Sequence, residues 1–235
     1  MTDQQPARSL FRNVLDTLTS IGIIAASAAI VSTYLGISWP HSSRAAVAVP
    51  ALPSKPVSLR DTAVTGNVSG RAAIVVFSDF QCPFCGRFAT ETWPKIRDKY
   101  VTAGNVLFAF KHLPLEIHSL AKPLAEVAEC ARRQDKFWLF HDYVFSRPTT
   151  PSLADVDQWA SASGVQRKEY EQCRARTAPV LVAASASEAS ALNVSGTPTF
   201  FVGKLNGDMS VSVTARLDGA VPFEQFDTAL RPLLK

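Results

Sequence analysis

Two cysteines, Cys82 and Cys85, flank Pro83 and Phe84 in the stretch SDFQCPFCGRF, residues 78–88. Such a pair can bind a metal, staple the chain, or exchange disulfides with other thiols. The thiolate is the attacking species in exchange, and a cysteine at the start of a helix is favoured as thiolate by unpaired N–H groups and the positive end of the helix dipole. Cys82 occupies that junction, and Pro83 fits the first helical position, where a missing N–H costs nothing. Cys85 lies one turn further on the same face, within reach of a mixed disulfide on Cys82. This gives Cys82 the attacking role and Cys85 the resolving role. A zinc site needs four ligands. Here Cys130 and Cys173 stand alone, and His112 and His118 would join a site only by coincidence. No metal and no cofactor are expected. A staple closing so short a loop removes little unfolded-state entropy. Redox exchange is therefore the reading that fits a CxxC beside a βαβ pattern.

The elements that position the pair are legible around it. AAIVVFS (72–78) is a short apolar, β-branched run, as expected of a strand buried on both faces. PFCGRFATETWPKIRDKYVTAG reads as a helix ending at Gly104 and kinked by Pro94, and NVLFAFKHL (105–113) as a second strand. Together they make a βαβ unit with a parallel pair. Residues 118–192 carry helical periodicity, with Ser152 and Asp155 placed for a capping box. GTPTFFVG (196–203) is a strand, NGD (206–208) a turn, VSVTARL (211–217) its partner, and VPFEQFDTALRPLL a closing amphipathic helix.

The 235 residues are 47% hydrophobic, enough for one domain with a sizeable core and an additional segment. The net charge of +4 is mild and its Lys and Arg form no stripe, which argues against nucleic-acid binding. Between Asp16 and Arg44 no Asp, Glu, Lys or Arg occurs, so residues 17–39 are long enough to cross a bilayer as a helix. Arg8 and Arg12 before it favour a cytoplasmic N-terminus at 1–16. A cleaved signal peptide, cut near AVA at 46–48, is the rival reading. Either exports the rest of the chain. Residues 40–56 are a Pro-rich linker, and the folded domain spans 57–235.

Pro198 in GTPTFFV stands at the head of a strand, where it marks an ordinary trans turn or a cis bond to Thr197. SDFQCPFCGRF, FKHLPLEIHSLA, KFWLFHDYVF and GTPTFFVG occur in this order, and the set resembles the DsbA-like branch of the thioredoxin superfamily over roughly residues 60–235. The resemblance implies an α/β thioredoxin fold with an inserted α-helical domain at 118–192, here preceded by the N-terminal hydrophobic segment. It also implies thiol–disulfide exchange, with Cys82 as nucleophile, Cys85 as resolving thiol and Thr197–Pro198 as a cis-proline loop. The implied partners are cysteine-containing exported proteins and a membrane reoxidant of the DsbB or vitamin-K-epoxide-reductase-like type. Two positions depart from the family pattern. The buried acid six residues before the first cysteine is Val76 here, which leaves proton transfer at Cys85 to water or to Asp79 or Glu91. The histidine that precedes the second cysteine in strong oxidants is Phe84, so a less extreme potential is expected.

Cys130 and Cys173 lie in helical segments of the inserted block. In an oxidising compartment they are expected to form a disulfide between two helices; two buried thiols or a relay pair are the alternatives. The leading functional reading is an exported oxidase. A reductase or isomerase using the dithiol form is the nearest rival, kept open by Thr197, and a non-catalytic peptide-binding module is a third.

Overall fold

The computed structural model describes residues 51–147 and 152–235. The segments 1–16 and 17–39 lie outside the described residues, as do residues 40–50 of the linker; residues 51–56 are irregular. Among the described residues no helix is long and apolar enough to cross a membrane.

Strands β1 (Val57–Ser58), β2 (Ala63–Gly66), β3 (Ala72–Ser78), β4 (Val106–His112), β5 (Thr199–Asn206) and β6 (Ser210–Asp218) form one sheet in the order β1-β6-β5-β3-β4-β2. The run AAIVVFS becomes β3 at the centre, and all seven of its residues are buried. It pairs in parallel with β4 and antiparallel with β5, so the expected βαβ unit is present. The β5–β6 hairpin carries an irregularity at Gly203, where a Cβ would meet Ser212 O at 2.1 Å and only glycine fits. The short strands β1 and β2 were not legible in the sequence. Each is held at one edge of the sheet, by β6 and β4 respectively.

Helix α1 runs over 83–101 and crosses one face of the sheet. A wider turn, Phe88–Thr92, precedes the proline, and the Trp93 N–H reaches back five residues to Phe88 O. Widening the turn accommodates a ring that has no N–H to offer and would collide with the carbonyl four residues earlier. Four helices lie between β4 and β5: α2 (Ala121–Arg132), α3 (Phe137–Phe145), α4 (Leu153–Ala162) and α5 (Arg167–Ala191). At the start of α4 the Ser152 N–H donates to Asp155 Oδ2 at 2.6 Å, the carboxylate half of the expected capping box, and the Ser152 hydroxyl donates to the same oxygen at 2.7 Å. Helix α6 (Phe223–Leu230) closes the chain beside α1, and Asp227 on it accepts from Lys99, Tyr100 and Arg231.

Alternation along the strands divides the core. Ile74, Val76, Phe108, Phe110, Phe200 and Val202 face α1, α6 and the helical block. Ala73, Val75, Phe77, Leu107 and Phe201 face the other side, beneath Ala189 of α5. Ties of several kinds join the helical block together and to the sheet, Lys111–Glu188 and Ser185–His112 among them. Cys130 and Cys173 form a disulfide between α2 and α5, with Cα atoms 5.7 Å apart, and the Trp138 indole N–H donates to Val64 O at 2.9 Å.

The bridge joins positions separated by 43 residues. Replacing both cysteines with alanine should lower the unfolding free energy by about 2–4 kcal/mol in urea titrations, while the fold persists. An unchanged midpoint would show that the bridge adds no stability.

Candidate active site

Strand β3 ends at Ser78 and α1 begins at Pro83, so residues 79–82 make the turn that presents the cysteines. Cys82 is the N-cap, in extended backbone with φ −71° and ψ 123°, and Pro83 follows at the first helical position. Cys82 and Cys85 are both free thiols, 4% and 1% exposed. Phe84, between them, is 53% exposed and stacks under the Arg87 guanidinium at 5.4 Å. The Thr197–Pro198 peptide is cis, and it brings Thr197 O to 3.3 Å from Cys82 Sγ. That loop is fixed from behind: the Gly219 N–H donates to Pro198 O at 2.8 Å, and the Thr199 hydroxyl bonds Gly196 O and Asp218. Residues 115 apart in sequence are thus joined at one sulfur.

The two thiols are unequal. The Cys82 thiol is lowered from 9.0 to about 5, chiefly by a hydrogen bond from Cys85. Burial opposes this, while hydrogen bonds from Thr197 and from the Cys85 and Phe84 N–H groups add to it. The 3.3 Å contact with Thr197 O suits a protonated sulfur. On ionisation it is lost, and the Thr197 hydroxyl, buried without a partner among the described residues, is free to donate instead. The Cys85 thiol is pushed up, first by burial and then by its neighbour Cys82. One sulfur is a stable anion and leaving group, and the other holds its proton.

The turn itself is locked by a carboxylate. Asp79 is buried; its Oδ1 accepts the Gln81 N–H at 2.7 Å, and its Oδ2 the Leu115 N–H at 2.9 Å and His118 Nδ1 at 2.7 Å. Gln81 Oε1 in turn accepts the Leu120 N–H at 2.6 Å. The segment FKHLPLEIHSLA is therefore clamped to the cysteine turn by Asp79, Gln81 and His118. Gln81 was not singled out from sequence and His118 was noted only as a poor metal candidate, because contacts across 36 to 39 residues leave no local period. Asp79, with both oxygens occupied, serves as a clamp, and Glu91 is exposed on α1. Val76 is buried apolar core.

Comparison with known proteins gives the family and the fold. The thioredoxin family profile matches residues 58–218. The Na(+)/H(+) antiporter NhaA 1 of Salinispora arenicola is 32% identical over 171 residues, 72% of this chain but 26% of that protein. The chain thus spans about a quarter of the length of that relative. Disulfide bond formation protein D of Bacillus subtilis is 29% identical over 93 residues, covering 38% of this chain and 41% of that protein. The crystal structure of Wolbachia pipientis α-DsbA1 shares the fold, with a TM-score of 0.65 at 19% identity over 76% of this chain and 93% of that one.

The thiolate can be followed by its ultraviolet absorbance in the reduced protein. A midpoint near pH 5 is expected for Cys82, moving upward in Cys85→Ala, which removes the largest stabilising hydrogen bond. Because the folded value lies below the unfolded one, this ionisation stabilises the reduced fold fully above about pH 9, and the gain is lost as pH falls through about 5. A midpoint near 8 or above would contradict the assignment.

Proposed function

Because the chain belongs to the thioredoxin family, we propose that it is a DsbA-like thiol:disulfide oxidoreductase that forms disulfides in exported proteins. The observation that carries this reading is the unequal pair beneath a cis-proline loop, with Cys82 Sγ 3.3 Å from Thr197 O. In the forward reaction a client thiolate attacks Cys82 Sγ of the Cys82–Cys85 disulfide, and Cys85 leaves with the electron pair and takes up a proton. A second client thiolate then attacks its own sulfur in the mixed disulfide. The client gains a disulfide, losing two electrons, and Cys82 departs as the stabilised thiolate. The carbonyl of Thr197 and the adjoining backbone offer an extended client main chain a place to pair beside the sulfur. Phe84, exposed on the rim, offers apolar contact.

The clients are cysteine-containing exported proteins, and the dithiol is returned to disulfide by a membrane partner of the DsbB or vitamin-K-epoxide-reductase-like type. The relative named disulfide bond formation protein D supports the forming direction. Residues 17–39 would export or anchor the domain on the extracytoplasmic side of the membrane. A reductase or isomerase reading has one feature in its favour, Thr197 before the proline, which isomerases of the superfamily often share.

Cys82→Ala should abolish oxidation of a reduced two-cysteine peptide, and Cys85→Ala should accumulate a mixed disulfide through Cys82, seen as a mass increase reversed by reductant. Cellular function that is unchanged in Cys82→Ala would point instead to a non-catalytic peptide-binding role.

A further inference from the structure

Exchange at Cys85 requires a proton to enter and leave a sulfur that is 1% exposed, and Val76 supplies no acid. Ser78 is buried at the end of β3, next to Asp79, whose N–H donates to Cys85 Sγ at 3.5 Å, and hydrogen bonding from Ser78 acts to lower the Cys85 thiol against the effect of burial. In the parallel register the partner of Ser78 on β4 is His112. Side chains two apart on a strand share a face, so Val76, Ser78, Phe110 and His112 all point toward α1 and the helical block. His112 is buried, yet its Nδ1 has no hydrogen-bond partner among the described residues. Its Nε2 lies 3.8 Å from Glu129 Oε2, and Glu129 is itself held by Arg132. A buried ring nitrogen without a partner is costly in a static fold. It is useful where a proton must arrive.

We propose that His112 is the positioning residue for the Cys85 proton, acting through Ser78 and backed by Glu129. This rests on the exchange reading above and deepens it. With the neutral ring protonated on Nε2, Nδ1 accepts the Ser78 proton while Ser78 accepts that of the Cys85 thiol. The resulting imidazolium faces the Glu129 carboxylate, and the Cys85 thiolate attacks Cys82 Sγ, releasing the bound thiol as its thiolate. In the client-oxidising direction the same proton returns to Cys85 as it leaves. A cavity of about 150 Å³ beside His112 and Glu129 is roomy enough for water and gives the proton an exit. The other charged groups near the ring are largely spoken for. Lys111 is paired with Glu188 at 2.6 Å, His141 with Asp142 at 2.8 Å, and Arg60 and Asp61 line the cavity's rim.

The test is the reaction of the reduced full-chain protein with oxidised glutathione, acid-quenched over time and followed by mass from pH 5 to 9. The first step, glutathione adding to Cys82, reports that thiolate; the second, Cys85 expelling it, reports the proton on Cys85. His112→Gln should leave the first step unchanged. It should slow the second by roughly a hundredfold or more at pH 7, as loss of a general base does, and leave a rate that simply rises with hydroxide. If His112→Gln disturbs the first step as well, Ser78→Ala decides by the same second-step criterion. A second step with the wild-type rate and pH profile in the deciding variant would overturn the inference. Absence of the first step in the wild-type protein would instead remove the exchange reading, and this inference with it.

Discussion

The first turn of a helix carries N–H groups that no helical carbonyl can satisfy, and in α1 the residue set against them is Cys82. The sulfur gains from those N–H groups, from the Cys85 thiol and from Thr197, and it is lowered to about 5 as a result. Everything else in the fold serves to keep these donors in place. Strand β3 fixes where the turn begins, and β5, paired antiparallel to β3, fixes where the cis-proline loop must lie. The Asp79 clamp then prevents the turn from opening by tying it to the segment after β4.

The same arrangement explains why so many polar groups are buried near an apolar core. Asp79, His112 and Glu129 are each buried at the edge of the aromatic cluster formed by Phe80, Phe110, Phe137 and Phe145. Isolated, such groups would be costly to fold. Asp79 is fully hydrogen-bonded and Glu129 is met by Arg132, so their burial is offset locally. His112 Nδ1 and Thr197 Oγ1 are the two fully buried side-chain nitrogen or oxygen atoms without hydrogen-bond partners among the described residues. Each belongs to a residue next to the thiol chemistry: Thr197 contacts Cys82, and His112 pairs in register with Ser78 beside Cys85.

What could be read from sequence followed period and punctuation. AAIVVFS had to be a buried central strand, and Pro83 after Cys82 had to open a helix. The Ser152–Asp155 cap and the Cys130–Cys173 pairing both match the structure. What could not be read depends on neighbours distant along the chain. Strand β2 is four residues with one buried side chain, so it has no periodicity of its own and exists because β4 offers a free edge. The wide turn at Phe88–Thr92 before Pro94 has no local signal either, and Phe88 within it packs on Phe108 and Phe200 from two separate strands. His112 was seen in the sequence only as a poor metal candidate. Its place opposite Ser78 follows from the parallel register, which a strand's own residues do not encode.

The direction of electron flow follows from how far the Cys82 thiolate is stabilised, because that favours the dithiol and makes the disulfide more oxidising. Thioredoxin pairs a thiol near 7 with about −270 mV, and DsbA one near 3.5 with about −120 mV. A thiol at about 5 falls between them, in keeping with Phe84 where the strong oxidants have histidine. The most direct test is the reduction potential of the Cys82–Cys85 pair equilibrated against glutathione at pH 7. A value of roughly −180 mV is expected, that of a disulfide that oxidises its clients, whereas about −250 mV or lower would make the dithiol the useful form and contradict an oxidising role.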